Sequence, residues 1–275
     1  MMRGLDIQVV EHPLEFRVPA RTSRDTLTAK PTWFIEARHP DGRVGRGECS
    51  LIPGLSPEHP LRAARALQSV AASGVLDPDA IPDSQPAVRF AVETALIDLL
   101  TPGERVLFDT PFSRGESGLP INGLIWMDSA EAMLNQAEVL LDRGFSALKW
   151  KVGTLPFREE LELVRAIRRK APEAVLRVDA NGAFSRPELG WTARSKCEAL
   201  AEWGVHSIEQ PLKPGHWKEL AELVAASPLP IALDEELIGL NTPALRRGML
   251  GLVKPAFVVL KPSLIGGLRE ANHWI

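Results

Sequence analysis

Three features of the sequence predict an α/β fold in which a parallel sheet follows a smaller α+β domain. Short runs of alternating apolar and polar residues fill the first 48 residues, and two stretches with helical spacing come next. Beyond Leu119, apolar runs and amphipathic stretches alternate six times. Six successive β/α units predict a parallel sheet, either doubly wound or closed into a (β/α) barrel of the TIM type. We expect an α+β capping domain over residues 1–115 and the barrel domain over residues 116–275.

The bulk composition is that of a globular protein and excludes some classes of partner. Of 275 residues, 45% are hydrophobic and 24% are charged, which is enough to bury a large core. A net charge of -3 gives no field that attracts polyanions, which argues against a nucleic-acid partner. Without a secretory pattern or an apolar run of about 18 residues, we expect no membrane contact and a cytoplasmic location. The spacing of Cys49 and Cys197 fits neither a metal site nor a disulfide framework, as is typical of a reducing compartment.

The elements of the first domain are predicted from alternation and helical spacing. The runs IQVV, FRV and TWFIEAR, separated by Pro, Gly and Asp, predict an antiparallel meander, and DGRVGRGE predicts a hairpin. Residues 60–72 and 87–100 are predicted helices. The second has one apolar face, formed by Phe90, Val92, Ala95, Leu96 and Leu99. The Pro/Gly/Ser-rich segment TPFSRGESGLP predicts the linker to the second domain.

The second domain is predicted to alternate strands and helices. The predicted strands are PINGLI, SALKWKV, AVLRVDA, VHSIEQ, PIALDE and AFVVLKP. The predicted helices are SAEAMLNQAEVLLDRG, PFREELELVRAIRRK, RPELGWTARSKCEALAEWG, HWKELAELVAA and TPALRRGML. Neither GxGxxG nor GxxxxGK[ST] follows any of these strands, so the sequence favours the barrel over a nucleotide-binding, doubly wound sheet.

Charged residues recur where these strands end. The second strand ends in Lys149-Trp150-Lys151, and the next four end in Asp179, Glu209, Asp234 and Lys261. Charge is costly inside a parallel sheet, and barrel enzymes build their active sites at the carboxyl ends of the strands. A single such residue would also fit a surface ion pair or a cap, but repetition at the same place in each unit predicts one shared site.

The residue types at this rim suggest metal and base chemistry. Asp179, Glu209 and Asp234 would supply hard oxygen ligands for Mg²⁺ and leave positions for water and substrate. Lys149 and Lys151, two residues apart on one strand, would enter the site from one side. Mutual repulsion and a nearby cation would lower their pKa values, so that a lysine could act as a base. Lys261 would approach from the opposite side.

These motifs resemble the muconate-lactonizing branch of the enolase superfamily. The pattern of that branch is found in LKWKVG, in RVDANGAF, in the Glu of IEQP, in the Asp of a DE pair and in the Lys of VVLKPSLIGG. The resemblance runs from the first strand to the last residue. Within the branch, GRGECSLIPGLSPE is similar to the capping domain of the dehydratase of menaquinone biosynthesis. The predicted substrate-binding residues are Arg177, Asn181 and Ser263. The predicted mobile loops, which would close the site, are residues 24–30 and 50–56.

The resemblance implies a Mg²⁺-dependent dehydratase, with Mn²⁺ as a possible substitute, that acts on a small carboxylate, 2-succinyl-6-hydroxy-2,4-cyclohexadiene-1-carboxylate. Lys151 would remove the α-proton and then help hydroxide leave from the same face. Mg²⁺ held by the three carboxylates would stabilise the enediolate. Lys149 would add positive charge beside the substrate carboxylate, and Lys261 would lie over the other face of the ring as a cation. A peripheral ion pair is the alternative role for Arg177.

Two other functions stay open. The first is an N-acylamino acid racemase or dipeptide epimerase of the same branch, in which Lys151 and Lys261 act as bases on opposite faces. The second is an inactive barrel that only binds metal. A complete barrel takes about 250 residues, and no seventh or eighth strand pattern follows Lys261, so we expect a barrel truncated after strand six. A fragment, a terminated reading frame and a chain completed elsewhere would each explain this. The sequence predicts no oligomeric state.

Overall fold

The computed structural model describes residues 1–21, 26–101 and 106–275. Its strands are β1 (Asp6–Glu11), β2 (Leu14–Arg21), β3 (Thr26–Lys30), β4 (Thr32–Arg38), β5 (Val44–Ser50), β6 (Gly123–Ile125), β7 (Ala147–Lys151), β8 (Val175–Asp179), β9 (Val205–Glu209), β10 (Ile231–Leu233) and β11 (Phe257–Val258). Its α-helices are α1 (Pro60–Ser73), α2 (Pro86–Leu100), α3 (Ala130–Asp142), α4 (Phe157–Lys170), α5 (Ala193–Glu202), α6 (Trp217–Ala226), α7 (Pro243–Val253), α8 (Pro262–Ile265) and α9 (Leu268–Asn272). Short 3₁₀ helices lie at Pro78–Ala80 and Glu235–Leu237.

The N-terminal strands form two antiparallel sheets. One has the order β1-β4-β5, and the other is the β2-β3 hairpin. The predicted single meander is therefore wrong, because β1 pairs with β4 and the hairpin between them stands apart. Pro13 and Pro31 flank the hairpin, and proline, which lacks an N–H group, interrupts a ladder. The hairpin predicted from DGRVGRGE is confirmed, since Arg38 pairs with Val44.

One predicted mobile loop is largely a strand. Residues 26–30 form β3, which pairs with β2, and residues 24 and 25 lie outside the described ranges. In the second predicted loop, Ser50 ends β5, and the residues after it form turns in which Ile52 N–H donates to Ser56 Oγ at 2.8 Å. That these segments move stays a prediction.

Helix α2 packs closely on β5 and closes the N-terminal core. Val92, Ala95 and Leu99 are fully buried as predicted, whereas Phe90 and Leu96 are only half-buried. A Cβ atom at Gly47 would lie 2.0 Å from the carbonyl oxygen of Ala91, so only glycine permits this approach of helix and strand. The buried residues of this core lie between Leu5 and Leu99, and a second core cluster begins at Ile125.

The second core cluster surrounds the six-stranded parallel sheet that the sequence predicted. The strands follow one another in chain order from β6 to β11, without the reversal of order that defines a doubly wound sheet. This order is consistent with a (β/α) barrel. Among the described residues the sheet is open, with β6 and β11 at its two ends. The truncated barrel and the domain limits at residues 115 and 116 stay predictions.

Helix α5 is shorter than predicted. The predicted segment starts at Arg186, but the helix begins at Ala193, after the N-cap Thr192, whose side chain forms a capping box with Ser195. Pro187 and Gly190 lie in the loop before it.

The predicted linker, residues 110–120, is exposed and contains neither helix nor strand. None of the helices in the described ranges has the length and apolar character needed to cross a lipid bilayer.

Candidate active site

The register of the parallel strands puts the predicted catalytic and metal-binding residues into rows. Lys151 pairs with Asp179, and Asp179 pairs with Glu209, so these three residues lie at one level of the sheet. Two residues earlier on the same two strands, Lys149 pairs with Arg177. The apolar residues between them are buried in the core cluster, and alternation along each strand turns the charged residues to the other face. The sequence prediction that these charges meet at one rim is confirmed for these strands.

On this side of the site, two lysines share two carboxylates. Lys151 Nζ donates to Asp179 Oδ2 at 2.9 Å. Lys149 Nζ donates to Glu209 Oε2 and also lies 3.7 Å from Asp179 Oδ2. One ammonium group therefore lies between two carboxylates. The side chains of Asp179 and Glu209 are only 4% and 8% exposed, so these ion pairs are shielded from water.

The third lysine and the third carboxylate form a separate pair. Lys261, the residue before α8, donates its Nζ to Asp234 Oδ2. The Asp234 side chain is 2% exposed, and that of Lys261 is 39% exposed. Strand β11, which leads to Lys261, lies at the opposite end of the sheet from β6. Three carboxylates are thus matched by three lysines, which reach them from both sides as the sequence predicted.

Asn181 connects the base candidate to the 3₁₀ helix that follows β10. Its Oδ1 accepts a hydrogen bond from Lys151 Nζ at 2.5 Å, and its Nδ2 donates to Glu235 Oε1 at 2.8 Å. The backbone of Asn181 is left-handed, with φ +43°, and its N–H donates to Asp179 Oδ1 at 3.1 Å. Asparagine tolerates this conformation better than most residues. The predicted substrate-binding residue Asn181 therefore lies beside Lys151.

Burial has the largest effect on the pKa values of Glu209 and Asp234. Burial and the neighbouring charge of Asp179 raise the pKa of Glu209 to about 7, against the opposing effect of Lys149. Burial also raises the pKa of Asp234, although the charge of Lys261 opposes it. Burial lowers the pKa of Lys261, but the negative charge of Asp234 outweighs this, and the net shift is upward. This cluster therefore favours the binding of positive charge.

The three carboxylates fit a divalent metal by their chemistry. In this structure each of the three carboxylates is paired with a lysine. Within the described ranges, no three His, Cys, Asp or Glu side chains are arranged so that they could hold a metal ion. Glu209 Oε1 is buried and lacks a hydrogen-bond partner among the described residues. A buried carboxylate oxygen without a partner is costly, and a hard cation is the ligand that such oxygens bind. The assignment of Asp179, Glu209 and Asp234 as metal ligands stays a prediction.

The other two predicted substrate-binding residues lie on different sides of the cluster. Arg177 donates to Asn122 Oδ1 and, together with Lys149 and Glu209, lines a cavity of about 240 Å³. The partner in this hydrogen bond is an uncharged amide, whereas a peripheral ion pair would need a carboxylate. Ser263 lies in the first turn of α8 and is half-buried, two residues after Lys261.

Sequence reasoning missed the role of Gln210 in holding two strand ends together. Gln210 is fully buried, with φ +40°. Its Oε1 accepts hydrogen bonds from the backbone N–H groups of Asp234 and Glu236, both at 3.1 Å, and its Nε2 donates to Leu212 O at 2.9 Å. The only sequence signal was its position between Glu209 and a proline.

Comparison with known proteins agrees with this fold and site. Residues 132–274 match the family model described as "Enolase C-terminal domain-like". The o-succinylbenzoate synthase of Desulfotalea psychrophila is 41% identical over 310 residues, which include 100% of this chain and 83% of the relative. The parallel sheet, the strand-rich domain before it and the lysine–carboxylate rim define an enolase-type α/β enzyme. The chain belongs to the enolase superfamily, in its muconate-lactonizing branch, and is an enzyme of the lyase class.

Two solved structures are similar to the chain over nearly its whole length. The crystal structure of MenC from Desulfotalea psychrophila has a TM-score of 0.83 and 38% identity, and the match covers 98% of this chain and 82% of that one. The crystal structure of o-succinylbenzoate synthase from Thermosynechococcus elongatus, complexed with Mg in its active site, has a TM-score of 0.77 and 26% identity. That match covers 97% of this chain and 79% of the other.

Proposed function

We propose that the chain has o-succinylbenzoate synthase activity and removes water from 2-succinyl-6-hydroxy-2,4-cyclohexadiene-1-carboxylate in menaquinone biosynthesis. The observation that carries the proposal is the set of three lysines that meet three buried carboxylates from both sides of the cluster. Proton removal next to a carboxylate needs a base on one side and positive charge around the substrate oxygens. The relative with 41% identity supports the choice of substrate.

Lys151 is the proposed base. Asp179 and Asn181 both accept hydrogen bonds from its Nζ, which fixes the direction from which the nitrogen approaches the substrate. As a neutral amine, Lys151 takes the α-proton and becomes an ammonium group. It then returns that proton to the departing hydroxide, which leaves as water, so the ring becomes aromatic and the base is regenerated. Lys261 lies over the opposite face as a cation, since a syn elimination needs only one proton-transfer group.

Asp179, Glu209 and Asp234 are the proposed ligands of Mg²⁺, with Mn²⁺ as a possible substitute. When bound, the ion supplies positive charge beside the substrate carboxylate, on which negative charge develops as the proton leaves. The three carboxylates would then no longer need the lysines as partners. This frees Lys149 to add positive charge beside the substrate carboxylate.

Arg177, Asn181 and Ser263 are the proposed substrate contacts. Asn181 is the best supported of the three, because it already binds the Lys151 ammonium group. We further propose that the six strands are an arc of a (β/α) barrel, which the sequential strand order supports.

Replacement of Lys151 by Ala tests the proposal. We expect the dehydration rate to fall by about 10²–10⁴-fold, the usual contribution of a positioned base, while calorimetric Mg²⁺ binding stays near that of the wild type. Lys218→Ala is the control, because Lys218 is an exposed lysine on α6 and is not one of the lysines paired with the cluster carboxylates. Dehydration that persists in Lys151→Ala would refute the assigned role.

The same assays separate the two alternative functions. A racemase or epimerase would exchange the α-hydrogen of an N-acylamino acid or dipeptide with solvent deuterium, and Lys261→Ala alone would abolish that exchange. A protein that only binds metal would give a calorimetric Mg²⁺ signal without dehydration of the cyclohexadiene substrate by the wild type.

A further inference from the structure

A cavity of about 630 Å³ lies on the N-terminal domain, away from the residues of the lysine–carboxylate cluster. It is open to solvent and is bordered by α1, by the N-terminal segment and by residues 75–85. Its volume is within the range of small-molecule sites, about 300–1,000 Å³. Val70 and Ile81, both mostly buried, contribute to an apolar lining. The cavity can therefore accept an apolar group of substantial size.

Three arginines also line this cavity. Arg62 and Arg65 lie one helical turn apart on α1, so their side chains share a face of the helix. Arg3 comes from the N-terminal segment, and its Nη2 lies 3.5 Å from Met1 Sδ. Within the described ranges, no carboxylate forms an ion pair with any of the three. In the same domain, by contrast, Arg43 is paired with Asp41.

Among the described residues that line the cavity, Asp77 is the carboxylate, and Asp79 and Asp83 are its nearest acidic neighbours along the chain. Asp79 accepts hydrogen bonds from Arg269, and Asp83 accepts one from Arg89 at 2.6 Å. Asp77 Oδ1 accepts from the N–H of Asp79 at 3.2 Å, as the cap of the 3₁₀ helix. The three arginines therefore outnumber the carboxylate of Asp77, while Asp79 and Asp83 are paired with other arginines, so the cavity lining carries excess positive charge.

Two further features make this a formed site. Backbone hydrogen bonds between Met2 and Leu76, both at 2.9 Å, hold the segment that carries Arg3 against the neighbouring segment that follows α1. Gln85 lines the cavity, and its Oε1 is buried without a hydrogen-bond partner in the described part of the chain. A buried acceptor of this kind is normally satisfied, and a donor group on a ligand would satisfy it.

We propose that this cavity binds an organic anion with an apolar body. The anionic group lies between the guanidinium groups of Arg62 and Arg65, which match carboxylate, sulfonate or phosphate oxygens. The apolar body packs against Val70 and Ile81, and a hydroxyl or N–H group of the ligand donates to Gln85. The site does not depend on the proposed dehydratase activity.

Fluorescence titration with 1-anilinonaphthalene-8-sulfonate, an aromatic anion that carries an N–H donor, tests the site on the whole chain. In the double variant Arg62→Gln/Arg65→Gln, we expect the dissociation constant to rise at least about tenfold, since two charged hydrogen-bonding groups are lost. The matched control is Arg38→Gln/Arg43→Gln, which removes the same charge from salt-bridged arginines of the same domain and should leave binding unchanged.

Three results would overturn the proposal: an unchanged dissociation constant in the Arg62/Arg65 variant, an equal loss in the control, or equally tight binding of uncharged N-phenyl-1-naphthylamine. Probe bound at the catalytic cluster would not respond to the Arg62 and Arg65 changes, so that case counts against the site as well. Circular dichroism and the dehydration rate monitor folding, and both should match the wild type. Arg62→Lys/Arg65→Lys keeps the charge and should retain part of the affinity.

Discussion

Gln210 illustrates how one buried side chain fixes the geometry of the candidate site. It follows Glu209 on β9 and binds the backbone N–H of Asp234 at the end of β10. It also joins the 3₁₀ helix after β10, because its Oε1 accepts from Glu236 N and its Nε2 lies 3.2 Å from Glu236 Oε2. Two proposed metal ligands on neighbouring strands are thus tied together through one amide.

Replacement of Gln210 by Leu should therefore destabilise the protein strongly. The leucine leaves the N–H groups of Asp234 and Glu236 and the carbonyl of Leu212 without their partner, at a cost of about 1–3 kcal/mol for each group that stays buried. We expect the free energy of unfolding to fall by about 3 kcal/mol or more, measured by urea denaturation. Gln68→Leu, at an exposed position on α1, is the control. Equal losses in the two variants would contradict this role.

At the level of elements, the segment after β7 depends on a glycine and a buried glutamate. Glu160, on the first turn of α4, accepts hydrogen bonds through Oε1 from the N–H groups of Gly153, Thr154 and Leu155. Gly153 has φ +92°, and a Cβ atom there would lie 2.1 Å from Ala183 Cβ in the segment after β8. The strand end that carries Lys151 is thereby held against its neighbour.

Gly153→Ala measures how tight that contact is. Two costs are expected: the strained positive φ, and a clash that the neighbouring segment must move to relieve. Gly144→Ala is a matched control, because Gly144 has φ +86° and a Cβ atom added there would have no neighbour within 4 Å. We expect the Gly153 variant to lose about 1–3 kcal/mol more unfolding free energy than the control, the usual cost of overpacking. A difference near zero in urea denaturation would mean that the contact with Ala183 is easily relieved.

Glu160 also makes the stability of the folded protein depend on pH, in a direction that follows from the shift of its pKa. Burial raises its pKa in the folded protein, in spite of the three backbone hydrogen bonds that oppose the shift. The folded state therefore binds this proton more tightly than the unfolded chain, whose pKa is about 4.3. Its contribution to stability is complete below that value and is lost as the pH rises through the folded pKa.

Glu160→Gln should remove this dependence. The unfolding free energy of the wild type relative to the variant should decrease as the pH is raised from about 4 toward 8, followed by urea denaturation at each pH. Glu159→Gln, at the exposed preceding residue, controls for the loss of one negative charge. A relative stability that rises with pH would contradict the upward shift.

Hydrophobic periodicity was sufficient to predict the six parallel strands. It does not determine which other strand an antiparallel strand pairs with. For that reason β1 was expected beside β2, whereas it pairs with β4. Strand-end spacing likewise placed Lys149, Lys151 and the carboxylates at one rim. Which lysine binds which carboxylate depends on side-chain packing across strands, and the sequence contains no periodic signal for it.

For the whole molecule, the two core clusters are joined through a buried carboxylate. Glu93, on α2, accepts hydrogen bonds from Leu268 N at 2.5 Å and from Arg269 N at 3.0 Å, at the start of α9. A second link between the same parts of the chain is the ion pair of Asp79 with Arg269, whose side chains are 68% and 47% exposed. Nothing in the local sequence around Glu93 predicted this long-range contact.

These two links should differ in strength, because one is buried and the other is exposed to water. Glu93→Ala leaves two backbone N–H groups without their acceptor, and we expect a loss of about 2–4 kcal/mol in unfolding free energy. Asp79→Ala removes only an exposed ion pair and should cost less than about 1 kcal/mol. Urea denaturation followed by tryptophan fluorescence would measure both, since Trp33 lies in the first core and Trp150 in the second. If Glu93 joins the two cores, the tryptophans of the two cores should report more widely separated unfolding midpoints in Glu93→Ala than in the wild type. Equal costs for the two variants would contradict that role.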